Sequence, residues 1–173
     1  MQLNLYKEQF ISYFNLPVVE ENIREAISVI KGSNRIFFIG NGGSNAVCSH
    51  MMEDFAKVAG YETFSFSDAT LITCLANDYG YERAMEEWLK IYFKKGDLLI
   101  AVSSSGESKN ILNAADYVLS KQGSVITLTG FDQGNQLRTK GIVNFCIPIK
   151  NYGIVECYHQ VILHIILDSL NEG

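Results

Sequence analysis

An α/β fold is predicted, a single domain with a mostly parallel sheet flanked by helices, and three observations predict it. Five short runs of apolar, β-favouring residues recur along the 173-residue chain. Stretches of helical period separate them, and this alternation builds a parallel sheet with helices on both faces. Two of the runs lead at once into a glycine- or serine-rich turn and then a helix. In such sheets ligands sit at the carboxyl ends of the strands, where these turns gather. With 47% hydrophobic and 19% charged residues, the composition is that of an ordered domain with a full core.

The chain begins with two helical stretches, Leu3 to Phe14 and Val18 to Ile30, separated by Pro17. Ile23, Ala26, Ile27 and Ile30 repeat at helical spacing. A helical pair ahead of the first strand is not needed to build a sheet, so it is expected to pack across the domain or against another subunit.

The first strand, Arg35–Ile39, runs into Gly40-Asn41-Gly42-Gly43-Ser44-Asn45, and the pattern then turns helical to Val58. Three glycines in four positions demand a tight turn or a close approach of backbone to something. Ser44 or Asn45 is the expected N-cap. Strand, glycine turn and helix start together aim free N–H groups and a helix dipole at an anion. The turn is neither a dinucleotide fingerprint, which needs glycine where Asn45 stands, nor a P-loop, which needs a Lys-Ser/Thr pair. On the helix behind it, His50, Glu53 and Asp54 lie on neighbouring parts of one face.

Glu62–Phe66 is the second strand candidate, followed by helical stretches at Ala69–Ala76 and Tyr81–Lys94. The third, Leu98–Val102, leads into Ser103-Ser104-Ser105-Gly106-Glu107-Ser108 and a helix to Lys121. Four hydroxyls and a glycine at a helix N-terminus can surround a phosphate with neutral donors, or form a turn capped by Ser105 or Ser108. Since both special turns follow strands of one sheet, they open at one edge, which favours phosphate. Val125–Thr129 and Val143–Pro148 complete the strands. The last helix, Ile154 to Leu170, is apolar almost all round, the mark of a buried or subunit-facing helix, and is expected to find too few partners within one small sheet domain. Set into it are Glu156, His159 and His164, so all three histidines fall on two helices that also carry carboxylates. Acid–base chemistry or a metal site needs such a concentration.

A net charge of −5 gives no electrostatic case for nucleic acid, and no apolar run is long enough to span a bilayer. The start, Met1-Gln2-Leu3-Asn4-Leu5, lacks the form of a signal peptide, and the expected location is cytoplasmic. Cys48, Cys74, Cys146 and Cys157 show no paired spacing and are expected to be reduced and buried.

In combination, Gly40-Asn41-Gly42-Gly43-Ser44, His50-x-x-Glu53-Asp54, Ser103 to Ser108 and Glu156-x-x-His159-x-x-x-x-His164 resemble the sugar isomerase (SIS) domain, most of all its phosphoheptose isomerases. Leu75-Ala76-Asn77-Asp78-Tyr79-Gly80 and Val125 to Gly130 add to the likeness, which covers nearly the whole chain. The resemblance implies a single SIS domain with a five-stranded parallel sheet, assembled as a homotetramer. It implies that the substrate is a phosphorylated sugar, sedoheptulose 7-phosphate, isomerised to D-glycero-D-manno-heptose 7-phosphate.

Carried onto these positions, Ser103, Ser104, Ser105 and Ser108 hold the phosphate. Asn41, Gly42, Gly43, Ser44, Asp78 and Glu156 line the substrate site. The acid is His164 and the base is Asp54, with Glu53 beside it. A zinc ion is expected at His50, Asp54, Glu156 and His164. The chain departs from the family in having Asp54 for glutamate, Glu156 for glutamine and Gly153 for aspartate. Its segment before Glu62 is short and lacks the family's arginine. A second SIS branch, replication-initiation regulators that bind protein partners, lacks the acid and the histidine that Asp54 and His164 supply here. A third class senses phosphosugars without turnover.

Overall fold

The computed structural model describes residues 2–172. A helical pair comes first, α1 (Gln2–Phe14) and α2 (Pro17–Lys31), with Pro17 as the opening residue of α2, where its missing N–H costs nothing. There follow β1 (Arg35–Ile39), α3 (Gly43–Lys57), β2 (Glu62–Ser65), α4 (Ala69–Tyr79), α5 (Tyr81–Tyr92), β3 (Leu98–Ser103), α6 (Lys109–Ser120), β4 (Ser124–Gly130), β5 (Val143–Ile147) and α7 (Tyr152–Asn171). A single 3-10 turn, Leu137–Thr139, lies between β4 and β5.

All four strand pairings are parallel, in the order β2-β1-β3-β4-β5. From β1 the chain moves outward to β2, returns to β3 on the other side of β1, and then continues outward the opposite way. The loops after β1 and β3 therefore diverge from adjacent strands, opening a crevice at the switch point. These are the glycine and serine turns.

Period-2 alternation divides the core into two layers. Ile36 and Phe38 of β1, with Leu98, Ile100 and Val102 of β3, face α2, α3 and α7. Phe37 and Ile39, with Leu99 and Ala101, face Met85, Trp88 and Leu89 of α5 and Ile111 and Ala115 of α6. Burying an aromatic or large aliphatic side chain contributes roughly 1.5–3 kcal/mol, so these layers hold the sheet on both sides. At the amino end of the central strands Arg35 Nη2 donates to the buried carboxylate of Asp97 at 2.5 Å, and Asp97 also accepts from Lys94 N at 2.6 Å.

Three expectations need correction. The helix after β1 starts two residues early: Gly42, at φ +53°, takes the N-cap position, and Ser44 and Asn45 lie inside the first turn. Only a residue tolerant of the left-handed region allows so abrupt an entry. Second, α7 finds most of its apolar partners within the chain. Ile154, Val155, Tyr158, Ile162, Leu163, Ile166 and Leu167 are buried, and Tyr158 stacks on Phe10 of α1 with ring centroids 4.2 Å apart. The helical pair and its joint carry exposed apolar residues of their own, Leu3, Ile11, Leu16 and Val18. Third, all four cysteines are free, but only Cys48 is buried, and Cys74 and Cys157 are exposed.

Candidate active site

A pocket of about 170 Å³ opens at the switch point, lined by Asn41, Ser44, Val102, Ser103, Ser104, Ser105, Ser108, Tyr152 and Glu156. Each wall follows from local sequence. Beyond β3 the chain must turn sharply, and Ser103 makes the turn: its carbonyl and its hydroxyl both accept from Gly106 N, at 3.0 and 3.2 Å. Gly106 sits at φ +67°, with Asn135 packed where a side chain would go. Glu107 ties the loop to the segment after β4, accepting from Gln136 N at 2.9 Å and Gln136 Nε2 at 2.6 Å.

Ser108 is the N-cap residue of α6, without a side-chain cap bond; its hydroxyl faces Ser103 Oγ at 3.4 Å. The hydroxyl of Ser104 is buried and has no hydrogen-bond partner among the described residues. An orphaned buried hydroxyl in a pocket wall is free to bond a ligand. No lysine or arginine lines the pocket. Anion attraction comes instead from hydroxyls and from the N-termini of α3 and α6, whose first N–H groups have no intrahelical acceptor.

Glu156 is the one carboxylate in the lining. It lies directly against Gly43, where a methyl group would collide with its carboxyl oxygens. A larger residue at position 43 would displace the Glu156 carboxylate from this seat. Tyr152, not singled out from sequence, supplies a further wall and packs edge-on against Phe131 at 4.7 Å. Asn151 starts the helix here, its Oδ1 accepting from Ile154 N at 3.1 Å.

Further along α7, a second group forms with α3. His50, Asp54 and His164 bring ligand-type atoms within 4.8 Å of one another. His50 Nε2 donates to Asp54 Oδ2 at 3.0 Å, and the rings of His50 and His164 lie edge to face at 5.2 Å. Gln160 contacts His164 Nε2 at 2.9 Å. Two imidazoles and a carboxylate are a donor set that fits a divalent transition metal, so these three residues could hold one.

Glu156 stands outside this group. Eight residues of helix separate it from His164, an axial rise of about 12 Å that a shared angular face does not remove. Glu53 is exposed and, among the described residues, is not part of the cluster. Asp78 is exposed near the end of α4, accepting from Asn77 Nδ2 at 3.0 Å, and does not line the pocket. Gly42 forms the α3 entry turn without lining it.

His159, between the two groups, is fully buried. Its Nε2–H donates to the carbonyl of Thr129 at 3.0 Å, tying α7 to the end of β4. Burial lowers its pKa to about 4, partly opposed by that bond, so the ring is neutral at ordinary pH.

Comparison with known proteins agrees with this geometry. The model of the SIS domain matches residues 17–130, which contain both loops. A phosphoheptose isomerase of Fusobacterium nucleatum is 31% identical over 156 residues, covering 87% of this chain and 80% of that protein. One from Buchnera aphidicola is 34% identical over 157 residues, covering 85% and 80%. The structure of a phosphoheptose isomerase from Neisseria gonorrhoeae superposes with a TM-score of 0.90 at 21% identity, over 99% of this chain and 96% of that one, and shares the fold. With the family model spanning both loops and the relatives aligned along most of their length, the chain belongs to the SIS domain family.

Proposed function

We propose that the protein is a sugar-phosphate aldose–ketose isomerase of the phosphoheptose isomerase type. It converts sedoheptulose 7-phosphate to D-glycero-D-manno-heptose 7-phosphate in the cytoplasm, supplying heptose for lipopolysaccharide or capsule. The observation that carries this is the pairing, along one helix, of a serine-lined pocket with a histidine–carboxylate cluster. Glu156 in the pocket and His164 in the cluster are about 12 Å apart along the axis of α7, which leaves room for a sugar carbon chain between the serine loop and the cluster.

Moving the carbonyl from C2 to C1 removes a proton from C1, passes through a cis-enediol and returns a proton to C2. Asp54 takes and returns that proton, and His50, hydrogen-bonded to it, holds the carboxylate in place. His164 exchanges protons with the sugar oxygens. Ser103, Ser104, Ser105 and Ser108 hold the phosphate, while Asn41, Ser44 and Glu156 contact the carbon chain between. His50, Asp54 and His164 would hold a zinc ion; with it bound the Asp54 carboxylate would be a weaker base and the ion would take over polarisation of the carbonyl.

The protein works as a homotetramer, with the uncovered apolar residues of α1 and α2 at a subunit contact. Sedimentation at micromolar concentration showing only the 19.4 kDa species would reject this. For the reaction, incubation with a panel of ketose phosphates in heavy water is expected to yield the heptose aldose with deuterium at C2. No aldose from any of them would overturn the isomerase assignment. Elemental analysis of untagged protein should find about one zinc per subunit, consistent with a single donor cluster.

A further inference from the structure

Two asparagines that meet across the switch point determine how one wall of the pocket can bond. Asn41 follows β1 and lines the pocket; Asn110 lies in the first turn of α6 and is buried. Their side-chain amides pair reciprocally, Asn41 Nδ2 with Asn110 Oδ1 at 3.0 Å and Asn110 Nδ2 with Asn41 Oδ1 at 2.8 Å. An isolated amide pair could be turned over with both bonds intact. The backbone removes that freedom here. Ile111 N–H can only donate; it is shared between Ser108 O at 3.0 Å and Asn110 Oδ1 at 3.1 Å, and an amide nitrogen turned to the latter position would set two donors against each other, so that atom is assigned as oxygen.

Asn110 therefore offers nitrogen to Asn41, and the atom of Asn41 that it meets is oxygen. Tyr81 OH, 2.7 Å from the same oxygen, must then be a donor as well. Two donors occupy the two lone pairs of Asn41 Oδ1. Of the two hydrogens on its Nδ2, one goes to Asn110, and the other has no protein acceptor among the described residues. Asn41 can bond a ligand in one direction only.

We infer that Asn110 and Tyr81 are positioning residues that hold Asn41 as a fixed one-way donor, giving its remaining N–H to an oxygen of the bound sugar phosphate. The inference rests on the sugar-phosphate reading of the pocket. The serine hydroxyls around it can rotate to donate or accept, whereas Asn41 cannot. It selects a ligand that places an oxygen lone pair opposite it, as a phosphate or a sugar carbonyl does. Neither Asn110 nor Tyr81 is among the residues that line the pocket, so each acts through Asn41.

The test is a double-mutant cycle on binding, read by calorimetry with sedoheptulose 7-phosphate and separately with inorganic phosphate. Asn41→Ala, Asn110→Ala and Tyr81→Phe are each expected to weaken sugar-phosphate binding by about 2- to 10-fold, the effect of one hydrogen bond. In the Asn41→Ala background, adding Tyr81→Phe or Asn110→Ala should change affinity by less than about twofold, because the group they orient is gone. Losses that multiply in the double variants would overturn the inference. Tyr81→Phe removes only a hydroxyl from an exposed ring, and it decides the question alone if Asn110→Ala does not fold. A loss seen with inorganic phosphate too assigns the N–H to a phosphate oxygen; a loss confined to the sugar phosphate assigns it to a sugar oxygen. A parent protein that binds neither ligand overturns the functional reading and this inference together, whereas multiplying losses in a protein that binds overturn only the inference.

Discussion

At one end of α7, Glu156 faces a pocket in which Ser44, Ser103 and Ser104 are buried; two turns further on, His164 meets His50 and Asp54 on half-exposed helix surfaces. The pocket is made mainly of loop backbone and short side chains, braced by Gly106, Glu107 and Asn135 from behind. The cluster is made of three longer side chains on the outside of two helices, steadied by one another and by Gln160. In the proposed reaction, binding falls to the more buried of the two regions and proton transfer to the more exposed one. Residues of the cluster should be replaceable without harm to fold or binding, and residues of the pocket should not act on chemistry alone.

The sharpest break of that comparison uses Asp54→Asn and His164→Gln. Each is expected to lower turnover by about 10²–10⁴, the usual contribution of a general acid or base, while sedoheptulose 7-phosphate still binds and the oligomer persists. Full activity in Asp54→Asn would move the base to Glu53. A smaller effect contrasts two histidines of one helix. His159, with a pKa lowered from 6.5 to about 4 by burial, is neutral in the folded chain while the unfolded chain takes up its proton first. Its contribution is whole above pH about 6.5, falls as pH drops towards 4, and is flat below, a change of roughly 3 kcal/mol. His159→Gln, which can still donate to Thr129 O, should flatten that part of a denaturation–pH profile; an unchanged slope would show that other groups cause it.

The smallest effects fall on the pocket. Ser105→Ala and Ser108→Ala should each weaken phosphosugar binding by about 2- to 10-fold, one neutral hydrogen bond apiece, seen in KM more than in kcat. A double variant that binds as tightly as the parent would remove the phosphate from this loop.

Much of this was legible in the sequence, for a physical reason. Buried parallel strands are continuous apolar runs, and glycine and serine punctuate them, so all five strands fall within about two residues of their expected ends. The entry to α3 was misjudged because Ser44 and Asn45 have N-cap chemistry, whereas the turn is governed by the positive φ of Gly42. The resemblance placed Glu156 both in the substrate site and among the metal donors, and the axial rise between it and His164 leaves it in the pocket and outside the cluster. Asn110 and Tyr81 gave no sign, since their meeting with Asn41 joins positions 69 and 40 residues apart. Such contacts exist only once the strands have been ordered.

That order has a consequence for how the chain comes into being. Arg35 and Asp97, at the amino ends of β1 and β3, are 62 residues apart, and the central seam of the sheet lies between those two strands. On the ribosome, Arg35–Ile39 emerges with β2 as its only early partner and with one flank unpaired until Leu98–Ser103 follows. In that interval an apolar strand edge is open to other chains, and long-range parallel pairing is slow to close it. The nascent protein is therefore most prone to aggregate when stalled between β2 and β3. Weakening β3 should lower the yield of folded chain before it affects any property of the finished enzyme.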